Sequence, residues 1–354
     1  MRTRIVNTGV NLGLLVLSIL IGLAVSEAAI RVALPADNPS GHVKLTRLPD
    51  GTPIGPRNVV LRQVKNTGDY DVTVRFNAAG LRDDKPLSAA RAADLVVVGD
   101  SFAFGWGVEA ADRFSDRLQA MLARPVFNIA IGGASIDDYH GLVRHAEAGG
   151  AVAARLVIAV TMENDIQVYD DAVPGTPPVA VGPMRRRLAA ALDQLKVALA
   201  EHSAVYFALT RAIHGTAWLR GLAQRSGLLR PNLDGISEIN GSDAALTSST
   251  ERLVQLARGR EAMVLIIPSR RLWVGPAAER ATAGQVHTAL VARLGEAGLR
   301  VVDLRSRLEQ GGAPLGYHFV NDGHWNAEGH RLAAMALAEA LAEAMLPLIT
   351  VPAK

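Results

Sequence analysis

The chain has 354 residues, 49% of them hydrophobic and 20% charged, which supplies a sizeable core and excludes a disordered chain. It has no cysteine, so disulfide scaffolds, cysteine-ligated zinc, iron–sulfur clusters and thiol nucleophiles are excluded. Of 37 basic side chains, Arg2, Arg4 and Arg31 lie in the first 35 residues, so the net charge of +3 leaves the remainder close to neutral and gives no case for nucleic acid.

Residues 1–35 form the first element. After Arg4 no charge occurs until Glu27. A helix over that stretch would be about 33 Å long, enough to cross a hydrocarbon core of ~30 Å. Positive charge ahead of it predicts a cytoplasmic N-terminus, with the rest of the chain outside, in the periplasm. Three readings are open: a single-pass anchor, a signal segment cut near the small residues Ala24-Val25-Ser26, and a buried helix of a soluble protein. The apolar run resumes after Glu27 with Ala28, Ala29 and Ile30, which favours the anchor.

Residues 36–57 are rich in Pro, Gly, Asp and Asn and read as a linker. Leu61 to Phe76 carries β-type residues around Asn66-Thr67-Gly68-Asp69 and predicts a hairpin, giving a linker and hairpin arm over 36–92. An α/β domain is expected over 93–350. Five apolar, β-branched runs follow: Asp94–Val98, Val126–Ile131, Arg155–Thr161, Ala262–Pro268 and Leu299–Leu304. Runs apolar on both faces suit the buried strands of a parallel sheet. Helical patterns lie at Asp112–Ala123, Gln285–Ala297 and Asn326–Leu346, the last with Asn326 as its N-cap. The expected fold is a three-layer α/β/α sandwich around a five-stranded parallel sheet of the flavodoxin-like kind. An insertion is expected at about 167–251, with a loop at Val173–Pro183, helices at Met184–Ala200 and Tyr206–Ser226, and a polar stretch at Pro231–Ser249. There is no Walker loop, and Gly105-Trp106-Gly107 lacks the third glycine of a dinucleotide fingerprint.

Four blocks fall at or after strand ends. The first strand runs into Gly99-Asp100-Ser101, which puts a serine at the carboxyl edge of the sheet, where such folds bind ligands. The second ends in Gly132-Gly133, able to aim a backbone N–H into the same crevice. The third ends in Glu163-Asn164-Asp165, where a side-chain amide can serve an oxyanion. Beyond the fifth strand lies Asp322-Gly323-His324-Trp325, a carboxylate two residues before a histidine that it can orient. Taken alone, each of the first three blocks also reads as ordinary turn chemistry, and the histidine of the fourth as a structural one. The histidines at 318, 324 and 330 lack metal-site spacing, and no metal or cofactor is expected.

Together the blocks resemble the SGNH/GDSL hydrolase superfamily over about residues 77–347, insertion aside. Asn77-Ala78-Ala79-Gly80-Leu81-Arg82-Asp83 resembles a segment common upstream of the family's serine block. The resemblance implies Ser101 as nucleophile, His324 as general base and Asp322 as its carboxylate. It implies an oxyanion hole from the Ser101 N–H, the Gly133 N–H and the Asn164 side chain. Two positions depart from the pattern: Met162 stands where many members have glycine, which would narrow the crevice, and Asn321 fills the usual acid slot three residues before the histidine. The Asp-x-His-Trp spacing resembles the branch that acetylates or deacetylates extracellular polysaccharides. The implied function is a membrane-anchored ester hydrolase or O-acyltransferase whose substrate is an acylated small molecule or carbohydrate. The competing reading is a non-catalytic glycan-binding or assembly module on the same fold.

Overall fold

The computed structural model describes residues 2–39, 43–169, 194–196, 198–229 and 239–345. The chain divides into two compact units: Met1–His42, Val64–Gly68 and Pro178–Leu229 form one; Val43–Gln63, Asp69–Pro177 and Arg230–Lys354 form the other.

Within the larger unit the first strands are short. β1 (Thr46–Arg47) pairs antiparallel with β2 (Pro53–Ile54), and β3 (Val60–Val64) pairs with β4 (Asp71–Arg75) at the expected hairpin. The stretch expected as a linker is partly built in, because Thr52 and Ile54 are buried. The main sheet comprises β5 (Leu95–Val98), β6 (Val126–Asn128), β7 (Arg155–Thr161), β8 (Glu261–Ile267) and β9 (Arg300–Asp303). All neighbours are parallel, in the order β6-β5-β7-β8-β9. Every β5 residue and all but the first of β7 are buried, as a sheet covered on both faces requires.

The chain order fixes the layers. From β5 the chain steps one way to β6, then back past β5 to β7 and onward. Right-handed crossovers therefore place the β5–β6 helix Phe114–Leu122 on one face and the β6–β7 helix Ile136–Ala148 on the other. Phe114–Leu122 packs with the C-terminal helix Ala327–Met345, while Asp243–Ala257 packs with both Ile136–Ala148 and Ala277–Glu296. The reversal makes the carboxyl end of β5 a topological switch point, where a crevice opens between diverging connections.

All five expected strands form, with shifted helix ends. Ala277–Glu296 starts eight residues before the expected Gln285: its first turns are exposed, so no apolar face marks them, and Pro276 is the signal that precedes them. Ile136–Ala148 was not expected. Ser135 and Asp138 cap it reciprocally, and its buried face at Ile136, Tyr139, Leu142, Val143 and Ala146 is interrupted in sequence by acids and histidines. Asp243–Ala257 lies within and just past the interval expected to be inserted. The loop expected at 173–183 and most of the helix expected at 184–200 lie outside the described residues.

In the smaller unit, the N-terminal helix runs over Arg2–Ala33. Its Gly13–Ala33 segment has a mean hydropathy of 2.2 and none of it is buried in the chain, so the helix is long and apolar enough to cross a membrane. The helix expected at 206–226 is two helices, Ala204–Gly215 and Ala217–Arg225, divided at Thr216.

Candidate active site

Ser101 follows β5 as the first residue of a single helical turn, Ser101–Phe104. Asp100 caps that turn: its Oδ1 accepts from Phe102 N at 2.9 Å. The segment after the turn is clamped from below by the buried Arg82, which donates to Gly105 O at 2.6 Å and Val108 O at 2.7 Å. Asp83 accepts from Asn128 N in β6 at 2.7 Å, and Asn128 Nδ2 donates to Ala103 O at 2.8 Å. The Asn77–Asp83 segment thus holds the turn that presents Ser101.

His324 comes from the loop between β9 and the C-terminal helix. Its Nε2 lies 2.8 Å from Ser101 Oγ. On the far side of the ring, Nδ1 donates to Asp322 Oδ1 in a short hydrogen bond, and Asp322 Oδ1 also accepts from His324 N at 3.1 Å. The carboxylate on Nδ1 fixes the tautomer that leaves Nε2 free to accept the serine proton. The acid two residues before the histidine therefore reaches it. Asn321, in the slot three before, turns instead to Asp69.

No motif in the sequence marks the next partner of Asp322. Tyr70, at the end of the hairpin turn, donates to Asp322 Oδ2 at 3.2 Å and accepts from Trp106 Nε1 at 2.8 Å. Trp106 in turn stacks on the His324 ring, with centroids 5.6 Å apart. Burial, reinforced by the Asp322 charge, pushes the Tyr70 hydroxyl above its ordinary value, so it remains a donor. Gly107 makes room for this: its φ is +78°, and a Cβ there would fall 2.6 Å from the Tyr70 ring. The contact spans 252 positions, which no local pattern announces.

The two other strand-end blocks converge on the same edge. A Cβ at Gly132 would lie 3.9 Å from Ser101 Cβ, and Gly133, with φ +74°, is exposed beside it. Asn164, after β7, is exposed and donates one amide proton from Nδ2 to Asp100 Oδ2 at 2.6 Å. An amide carries two such protons, so one remains for the crevice. Behind it, Asp165 is wholly buried, and its Oδ2 accepts from Tyr139 Oη at 2.9 Å and Thr161 N at 2.8 Å. Burial pushes both Asp100 and Asp165 up, and at Asp165 the Asp100 charge acts in the same direction.

Several side chains singled out in sequence stand elsewhere. Met162 is fully buried with Sδ 2.9 Å from His287 Nδ1, so it fills the core and does not narrow the crevice. Trp325 is fully buried. Glu163 accepts a short hydrogen bond from Ser269. His318 donates to Pro314 O at 3.2 Å, and His330 Nδ1 accepts from Phe114 N at 3.3 Å. Burial lowers both imidazoles to about 3, so they stay neutral.

Several solved structures are similar to the chain at low identity. A member of the lipolytic protein G-D-S-L family from Veillonella parvula is 16% identical, with 70% of this chain and 96% of that one covered and a TM-score of 0.38. A lipase/acylhydrolase from Enterococcus faecalis is 12% identical (72% and 97% covered, TM-score 0.40). An acetylxylan esterase from Geobacillus stearothermophilus, solved as a catalytic mutant, is 11% identical (72% and 96%, TM-score 0.39). No curated protein matches the sequence. The sequence pattern of the GDSL-like Lipase/Acylhydrolase family matches residues 97–332, two thirds of the chain and all four strand-end blocks. The chain belongs to the GDSL-like lipase/acylhydrolase family, the SGNH hydrolases, whose members act on ester bonds.

Proposed function

We propose that the chain is a membrane-anchored serine esterase or O-acyltransferase that works outside the cytoplasm on acylated carbohydrate. Ser101, His324 and Asp322 are its catalytic residues, and Ser101 N, Gly133 N and Asn164 Nδ2 its oxyanion donors. One observation carries the chemistry: His324 Nε2 at 2.8 Å from Ser101 Oγ, with a carboxylate on the opposite ring nitrogen.

In the first half-reaction Ser101 Oγ attacks the ester carbonyl while its proton passes to His324 Nε2. The carbonyl π electrons move to oxygen, and the oxyanion meets the three donors. The tetrahedral species collapses, the alcohol leaves with the proton from His324, and an acyl-serine remains. In the second half-reaction His324 takes a proton from water or from a sugar hydroxyl, which attacks the acyl carbon and restores Ser101 Oγ–H. Hydrolysis and transfer use the same side chains and differ only in the acceptor admitted.

The carbohydrate reading is supported by the resemblance of Asp322-Gly323-His324-Trp325 to enzymes of extracellular polysaccharides. The topology is supported by the exposed apolar helix and by Arg2 and Arg4 ahead of it. The test is incubation with an activated acetyl ester, with and without oligosaccharide acceptors, following free acetate and acetylated sugar together. Turnover dependent on Ser101 is expected. A folded chain that binds oligosaccharide but releases no acetate and acetylates no sugar would be a binding module instead.

A further inference from the structure

Within the smaller unit the end of the N-terminal helix is bolted to the helix Ala204–Gly215. Glu27 accepts from Ala204 N at 2.7 Å, Val205 N at 3.1 Å and Ser203 Oγ at 3.0 Å. Arg31 donates to His202 O at 2.7 Å, and Arg211 pairs with Asp37 at 2.9 Å. Glu27 is also the first charge after the apolar stretch that begins past Arg4. That stretch is about as long as the hydrocarbon core is thick. If it spans, Glu27 stands at the membrane surface, and the helix it caps starts at headgroup depth.

The same helices carry the largest exposed apolar side chains. Among the described residues, every Leu or Trp that is more than half exposed lies in the N-terminal helix or in residues 195–228. Trp218 is 68% and Leu228 81% exposed, and Leu195, Leu209 and Leu222 are each more than half exposed. On Ala217–Arg225, Trp218, Leu222 and Arg225 recur at i, i+4 and i+7 and form one stripe, while Arg220 and Gln224 form a separate polar stripe. Residues 194–229 contain Lys196, Arg211, Arg220 and Arg225 against Glu201 as the only acid. An apolar stripe with Trp, flanked by Arg, is the composition of a helix lying in a membrane interface.

We propose that Ala204–Gly215 and Ala217–Arg225 form a membrane-lying element, with Trp218 and Leu222 seated in the interface of the bilayer that the N-terminal helix crosses. The occupant of this surface is an anionic lipid leaflet: the bonds to Glu27 and Arg31 set the depth, and the basic excess sets the sign of the headgroups. The inference rests on the anchor reading and goes beyond it, because a plain anchor would leave these side chains in water.

The absence of cysteine allows a clean test. The full-length chain is reconstituted in phosphatidylglycerol/phosphatidylcholine vesicles with a single environment-sensitive label at Trp218→Cys, Leu222→Cys, Gln224→Cys or, within the span, Leu17→Cys. Helical circular dichroism and the pattern of limited proteolysis within 194–229, matched to the parent chain, check that each variant is folded. Doxyl-labelled lipid should quench the labels at 17, 218 and 222 by about two-fold or more and the label at 224 less. Quenching at 17 but not at 218 or 222 would overturn the proposal and leave the anchor standing. Labels at 218 and 222 shielded from aqueous iodide yet untouched by doxyl lipid would mean a protein surface, such as a second copy, and would also overturn it. No quenching at 17 would remove the anchor reading, and the proposal with it.

Discussion

Ser101→Ala removes the attacking oxygen and little else, so kcat on an activated acetyl ester should fall roughly 10⁴-fold or more with an unchanged melting temperature. Steady-state kinetics on the folded variant decides it, and near-native kcat would refute the assignment. Asn164→Ala has two consequences. It withdraws a donor from the developing oxyanion, with an expected loss of about 10²–10³ in kcat and little change in KM. It also leaves the buried Asp100 without the 2.6 Å bond to Oδ2, so this variant should melt lower as well. Tyr70→Phe loses the bond to Asp322 and leaves the Trp106 indole unpaired. Loosened support for the carboxylate should lower kcat about ten-fold while KM holds, and a change confined to KM would make Tyr70 a substrate contact. These residues differ in how far the sequence exposed them. Ser101, Gly133 and Asn164 stand at strand ends, and a short run of letters places them there. Tyr70 acts across the whole length of the catalytic unit, and Asp165 matters because it is buried, which its neighbours in sequence do not reveal.

The C-terminal helix Ala327–Met345 begins three residues after His324, so its start steadies the histidine loop. Asn326 Oδ1 accepts from Glu328 N at 3.0 Å and Gly329 N at 3.2 Å, while its Nδ2 donates to Gly316 O at 2.8 Å. Asn326→Ala should cost about 1–2 kcal/mol by chemical denaturation. Asn326→Asp keeps the cap and loses only the Nδ2 bonds to Gly316 O and His318 O, so it should cost less; equal losses would show that the cap contributes little. At this scale the strands were legible because each is apolar on both faces. Ala277–Glu296 was half legible because its first turns lie in water. Ile136–Ala148 was hidden because the acids and histidines between its buried residues mask the period.

For the whole chain, removing residues 1–35 should leave ester turnover intact, since no site residue lies there. The helix Ala204–Gly215 would lose its bonds to Glu27 and Arg31, so limited proteolysis should cut first within 194–229. A reporter fused at Lys354 that works only after export should be active, and inactivity would reverse the topology. Acidity acts through His318 and His330, held to about 3 in the fold against ~6.5 unfolded. A lowered imidazole binds fewer protons folded than unfolded, so its contribution is complete above ~6.5 and is lost progressively as pH falls toward about 3. The raised carboxyls of Asp100 and Asp165 act with the opposite sign. The measurable quantity is therefore a difference: between pH 7 and 4, His330→Phe should lose melting temperature less steeply than the parent chain. Parallel curves would mean that His330 does not contribute.

The Tyr70 contact also bears on how small a working fragment can be. A truncation to the family-matched stretch, residues 97–332, would keep Ser101, His324 and Asp322. It would discard Tyr70, the Arg82 clamp beneath the serine turn, the Asp83 link to β6, and the buried Ala333, Ala334, Leu337 and Leu341 of the last helix. A library of minimal catalytic cores, or a graft onto another scaffold, that takes the matched stretch as its border would carry the reacting groups without their support and should score as inactive. The autonomous piece begins upstream of Thr52, where buried residues of the catalytic unit first appear.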